Sequence, residues 1–128
     1  MTWLFIDTSE RLRTRLAVFP KTGRTRVRIK AGRVPLVATM AAFITPDECS
    51  ALQGIAVVAG PGSFSAVRSG VLVANLLSRV YHVPIYDVPK EIADDLFAIR
   101  KGIREGTFRS KEYVAPVYDA EPNITCPR

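Results

Sequence analysis

The chain has 128 residues, 48 % apolar and 23 % charged, a globular composition that excludes a disordered or collagen-like polymer and suits one domain with a single core. Its longest apolar run, residues 34–45, is too short to cross a bilayer, and Asp7, Glu10 and Arg11 precede any signal-like core; a cytoplasmic chain without membrane contact is expected. The formal charge of +6 is uneven, since residues 11–33 hold nine basic side chains and no acidic one.

Leu4, Phe5 and Ile6 form an apolar run that ends in Asp7, Thr8 and Ser9, as a buried strand delivering polar groups at its carboxyl end would. Leu12, Thr14, Leu16 and Val18 then alternate with Arg11, Arg13, Arg15, Ala17 and Phe19, and after residues 20–23 the alternation resumes with Thr25, Val27 and Ile29, which predicts a β-hairpin with one face inward. The alanine-rich run from Val34 to Thr45 predicts a short buried helix, broken at Pro46 and Asp47. Ile55 to Ala59 reads as a strand that leads through Gly60, Pro61 and Gly62 to Ser63, a good N-cap for a helix ending near Tyr81. Val83 to Val88 predicts another strand. Beyond Pro89, Ile92, Leu96, Ile99 and Ile103 recur at helical spacing, with Asp94 and Asp95 early, basic residues late and Gly106 as end cap. Tyr113 to Tyr118 adds a last extended segment.

This order implies an α/β domain whose mixed sheet combines an antiparallel hairpin with parallel crossovers flanked by helices, the order of a ribonuclease H-like or actin-like ATPase subdomain. Cys49 and Cys126 lack the spacing of a zinc or redox site and read as free thiols. His82 is the only histidine, so no metal site is expected, and it reads as a helix-end residue. A hydrolytic set of Ser63 or Ser65 with His82 and Asp87 finds no support in the spacing.

The stretch Gly60-Pro61-Gly62-Ser63-Phe64-Ser65-Ala66-Val67-Arg68-Ser69-Gly70 resembles the motif GPGSFTGLRIG of the TsaB (YeaZ) family. LFIDTS at positions 4–9 and Pro116-Val117-Tyr118 resemble further elements of that family. Ser65, Ala66 and Ser69 depart from the motif by small changes, and the histidine and serine near the start of the family's preceding helix are replaced by residues 33–38. After Val88 the family continues into a second subdomain, whereas this chain passes to its last helix, so residues 1–128 look like a single one-lobed domain. The resemblance implies a non-catalytic subunit that pairs with TsaD, the metal-dependent protein that transfers a threonylcarbamoyl group to adenosine in tRNA. A TsaE-like ATPase is the further partner it implies.

In that family pairing uses two apolar helices, which here would bring Val34, Leu36, Val37, Met40 and Phe43 together with Val67, Val71 and Ala74. The residues point the same way independently. Val67, Val71, Leu72, Val73, Leu76, Leu77 and Val80 cover most of a helix circumference, and a small domain has little with which to cover the side away from its sheet. A lone chain would then self-associate as a symmetric dimer. The alternative is that both helices are spent against each other and the sheet.

Two further sites are expected. Asp7, Thr8 and Ser9 with Gly60, Gly62 and Ser63 stand where actin-like ATPases contact phosphate, but without a second lobe the isolated chain should take no cofactor, and ATP only at a composite site; close strand–helix packing explains the glycines equally well. On the hairpin, Arg11, Arg13 and Arg15 alternate on one strand and Arg24, Arg26, Arg28 and Lys30 on the next. An even-numbered turn would set all seven on one face, for tRNA phosphates or as a solvated edge. A free-standing basic tRNA- or RNA-binding module is therefore the second reading, and a nucleotide-dependent enzyme the third.

Overall fold

The computed structural model describes residues 2–10, 12–32, 35–62, 64–111 and 113–117. In chain order these form β1 (Thr2–Asp7), β2 (Arg13–Pro20), β3 (Arg26–Ala31), α1 (Leu36–Phe43), α2 (Pro46–Ser50), β4 (Leu52–Val57), α3 (Phe64–Tyr81), β5 (Ile85–Asp87), a 3-10 turn (Lys90–Ile92), α4 (Leu96–Glu105) and β6 (Ser110–Lys111). The strands make one six-stranded sheet in the order β3-β2-β1-β4-β5-β6. β1–β2, β2–β3 and β5–β6 are antiparallel; β1–β4 and β4–β5 are parallel. The expected mixed α/β sheet is therefore present.

The central strands are apolar on both sides, so the sheet needs two roofs. Leu4, Ile6, Leu16, Val18, Ile55 and Val57 pack beneath α1 and α3 together with Leu36, Met40, Phe43, Val67, Val71 and Ala74. Phe5, Ala17, Phe19, Ala56 and Val58 form a second cluster with Ile99 of α4. β2 therefore buries both faces, where its sequence predicts one inward face.

Two helical boundaries differ from expectation. Pro46 opens a helix rather than only ending one: the Thr45 hydroxyl accepts from the Glu48 amide at 3.1 Å and the Glu48 carboxylate accepts from the Thr45 amide at 2.9 Å, a reciprocal capping box. Pro89 starts only the short 3-10 turn. α4 begins afresh where the Asp95 side chain accepts from the Ala98 amide at 3.0 Å. Gly106 ends α4 in the left-handed region at φ 72°, as predicted. His82, just past α3, also has positive φ, at 54°. Cys49 is a free thiol, and Cys126 lies outside the described residues. Among the described residues no helix is long and apolar enough to cross a membrane.

The hairpin register separates the two cationic stripes. Arg15 pairs with Ile29 and Leu16 with Arg28, so Arg13 and Arg15 share the α4 side with Val27 and Ile29 while Arg26, Arg28 and Lys30 share the α1 side. Strands ending at Pro20 and starting at Arg26 leave an odd number of residues between them, and an odd connection puts the two parities on opposite faces. The expectation of seven cations on one face is thus corrected.

Each stripe meets the chain's own anions and rings. Arg15 is buried: its Nη2 lies 3.5 Å from Asp7 Oδ2, its Nη1 donates to Asp94 Oδ1 at 3.1 Å, and its guanidinium lies 5.6 Å from the Phe5 ring centroid. Arg13 Nη2 lies 3.6 Å from Asp7 and 3.5 Å from Asp94. On the other face Arg26 pairs with Glu48 and donates to the Phe43 carbonyl at 2.6 Å, and both Arg26 and Arg28 sit over the Phe43 ring. A cation on the last carbonyl of α1 suits the negative end of that helix.

Burial pushes the Glu48 carboxyl up, but hydrogen bonds from the Thr45 amide and Arg26 outweigh it and leave the group below its usual value. Its stabilising contribution is therefore present above the usual glutamate range and lost as pH falls through the lower folded-state value. Glu48→Gln should flatten the loss of stability between about pH 5 and pH 3, read by denaturant titration at each pH. Asp7→Ala, which strands Arg15 in the interior, should cost about 3–5 kcal/mol in the same assay. Asp94→Ala, whose side chain is 83 % exposed, should cost less than about 1 kcal/mol.

Candidate functional site

α3 carries apolar residues nearly all round, and the sheet decides how they are divided. Val67, Val71, Ala74 and Ser78, spaced four, three and four apart, are buried. Asn75 faces the carboxyl-terminal segment, where its amide donates to the Val114 carbonyl at 2.9 Å and accepts from the Val114 amide at 3.0 Å. The remaining side is open: Leu72 is 55 %, Leu76 53 % and Val80 64 % exposed, and Val37 of α1 is 68 % exposed.

Between α1 and α3 lies a groove of about 260 Å³ lined by Val37, Met40, Ala41, Ile44, Cys49, Val73, Leu76 and Leu77, with Leu4 and Leu52 at its floor. Its walls carry almost no polar surface. Hydrocarbon left open at this scale gains roughly 25 cal/mol for each Å² that another apolar surface covers, so the groove suits an apolar helix or side-chain row.

The expected interface residues fall on both sides of this division. Leu36, Phe43, Val67, Val71 and Ala74 are buried within the chain itself and do not line the groove, which corrects their assignment to a partner-facing surface; Met40 is largely buried but lines the groove, Val37 lines it and is exposed, and Val34 lies outside the described residues. The open side instead carries Leu72, Leu76 and Val80, with Val73, Leu77 and Ala41 along the groove. A pointer to the sheet-facing side was present in Gly70, where an added Cβ would stand 2.2 Å from Thr8 Oγ1. That glycine admits the chain's own β1 end rather than a foreign helix.

Asp7, Thr8, Ser9, Gly60 and Gly62 do come together, at the carboxyl ends of β1 and β4, and Ser63 lies outside the described residues. The Ser9 amide and hydroxyl donate to Asp7 Oδ1 at 2.9 and 2.6 Å, and Asp7 Oδ2 faces the two arginines. A Cβ at Gly62 would stand 2.4 Å from the Ser9 carbonyl oxygen, and one at Gly60 2.0 Å from that of Val117. The turn is thus closed by backbone on two sides, and Lys90 Nζ donates to its Pro61 carbonyl at 2.7 Å. Close packing accounts for these glycines.

Of the expected tRNA contacts, Arg13, Arg15, Arg26 and Arg28 are engaged by the chain's own anions and rings, Arg24 and Lys30 are exposed, and Arg11 lies outside the described residues. Among the described residues no three metal-ligating side chains cluster.

Val71→Asp should prevent folding, because it sets a charge in the core beneath α3. Leu76→Asp should leave the thermal midpoint and circular dichroism close to those of the parent. A folded Val71→Asp chain with a parent-like melt would contradict this division of α3 into a sheet-facing and an open side.

No curated protein sequence matches the chain. The family model described as TsaD: tRNA N6-adenosine threonylcarbamoyltransferase matches residues 38–93, from α1 through the 3-10 turn. Among solved structures, YeaZ from Pseudomonas aeruginosa superposes with a TM-score of 0.59 at 25 % identity, covering 82 % of this chain and 50 % of that one. A second structure, an uncharacterized protein with similarity to peptidase YEAZ from Pseudomonas aeruginosa, gives the same TM-score and identity over 82 % of this chain and 49 % of its own. The chain therefore spans about half the length of the proteins it matches. With its six-stranded mixed sheet and its glycine turn ahead of α3, the chain is therefore similar to the TsaB (YeaZ) proteins and has a ribonuclease H-like fold.

Proposed function

We propose that this chain is a non-catalytic accessory subunit, working in the cytoplasm, that docks a TsaD-type catalytic subunit through the α1–α3 groove in threonylcarbamoyladenosine modification of tRNA. The observation that carries this reading is the open apolar row of Val37, Leu72, Leu76 and Val80 beside that groove. Such a row is costly in water and suits a helical partner with an apolar stripe of its own. A TsaE-like ATPase would join through the catalytic subunit, with tRNA held by the complex. Without its partner, the same row would pair with a second copy of the chain.

On this reading the chain alone takes no nucleotide at its glycine turn, because the polar groups at the carboxyl end of β1 are spent on Ser9, Arg13 and Arg15 and the turn is filled. ATP would enter only at a site completed by another subunit. The isolated chain should hydrolyse no ATP in a phosphate-release assay, and turnover by the chain alone would favour an enzyme instead.

Co-expression with a cognate TsaD-type protein should yield a complex on affinity capture. Leu76→Asp should weaken it by at least about 30-fold, as expected of a central apolar contact worth about 2 kcal/mol. Capture unaffected by a charge at both Val37 and Leu76 would move the interface elsewhere.

A further inference from the structure

On the opposite face and at the opposite end of the sheet from the glycine turn, a second cleft of about 270 Å³ opens between the first strand and the last two turns of α4. Its walls combine the rings of Trp3 and Phe19 with Lys21, Gln53, Arg100 and Arg104. Aromatic surface, an amide and cations in one concave site form the chemistry that takes an aromatic ring carrying a phosphate.

Several local features seat these groups. Thr2 pairs with Leu52 but Trp3 pairs with Gly54, so Gln53 is the extra residue of a bulge, and a bulge re-aims a side chain. Gly54 has no side chain where one would strike the indole, since an added Cβ would lie 1.9 Å from Trp3 Cζ3. The Tyr86 ring backs Trp3 at 5.0 Å, which leaves the indole half-buried with its remaining surface in the cleft. Arg100 ties down the β2–β3 connection by donating to the carbonyls of Pro20 at 2.6 Å and Gly23 at 2.9 Å. That holds the segment bearing Lys21 at the mouth. Arg100 is spent on this task, whereas Lys21 and Arg104 have no anionic partner among the described residues.

We propose that this cleft binds one nucleotide of a single-stranded RNA segment, with the base against Trp3, the Gln53 amide at its edge, and the phosphate between Lys21 and Arg104. The volume lies near the small end of ligand cavities and suits one nucleotide unit rather than a duplex. The site makes no use of the α1–α3 groove and stands whether or not a protein docks there.

Trp3 is the only tryptophan in the chain, so its emission reports occupancy directly. The full chain, without any partner protein, is titrated at low salt with single-stranded RNA hexamers of adenylate and of uridylate, and separately with free AMP. The hexamers should quench Trp3 with a steep salt dependence. Lys21→Glu and Arg104→Glu should each weaken binding by about tenfold and flatten the slope of log affinity against log salt by about 0.7. Lys30→Glu, an exposed change of equal charge on the other face, should leave affinity within about twofold, which separates a defined site from general electrostatic attraction. Absence of quenching at low salt, or an equal loss with Lys30→Glu, would overturn the proposal. AMP binding as tightly as the hexamers would also overturn it, making the cleft a small-molecule site. None of these outcomes touches capture by a TsaD-type partner.

Discussion

A sheet whose central strands are apolar on both sides must be roofed on both sides. Here β1, β2 and β4 bury Leu4, Phe5, Ile6, Leu16, Ala17, Val18, Phe19 and Ile55 through Ala59 almost completely. The chain has one long helix and one short one for the first roof and α4 for the second. Each roof is a single layer. A single helical layer has an inner and an outer side, and α3 is apolar on both. The open row of Leu72, Leu76 and Val80 therefore follows from how the sheet is covered, and the docking reading follows from that row.

The same requirement governs the charges. With β2 enclosed, any cation on it is carried into the interior or to its border, and Arg15 is tolerated there because the buried Asp7 stands beside it, with the exposed Asp94 at its outer side. The compensation is incomplete: Asp7 Oδ2 and the Nε and Nη2 of Arg15 are buried without a hydrogen-bond partner among the described residues, so Asp7 and Arg15 meet as an ion pair at 3.5 Å. This ties up the acidic group that closes β1, next to the glycine turn. On β3, an edge strand, Arg26 and Arg28 instead lie over Phe43 and beside Glu48, linking the sheet edge to α1 and α2.

The two candidate surfaces divide the molecule. The α1–α3 groove is nearly pure hydrocarbon and faces one way; the Trp3 cleft mixes rings with cations and faces the other. A body with an apolar face on one side and a cationic, aromatic face on the other can hold a protein and a polyanion together without competition for surface.

Much of the fold is legible in the chain's own residues, because local physics decides it. β-branched apolar runs set β1 and β4, Gly106 ends α4 because only glycine enters the left-handed region freely, and the alternation over residues 12–29 marks a hairpin. Residue pattern was enough to find most of the elements, though not α2, the 3-10 turn or β6, and to say that α3 carries more hydrocarbon than one contact can hide. It could not say which side of α3 meets the sheet, since a helix apolar nearly all round has no preferred phase until something packs on it. Nor could it say which face each arginine takes, because hairpin parity turns on the length of the connection by a single residue. Only the packed chain assembles the Trp3 cleft, whose parts lie at positions 3, 19–21, 53 and 100–104, too far apart in the chain for any local rule to join.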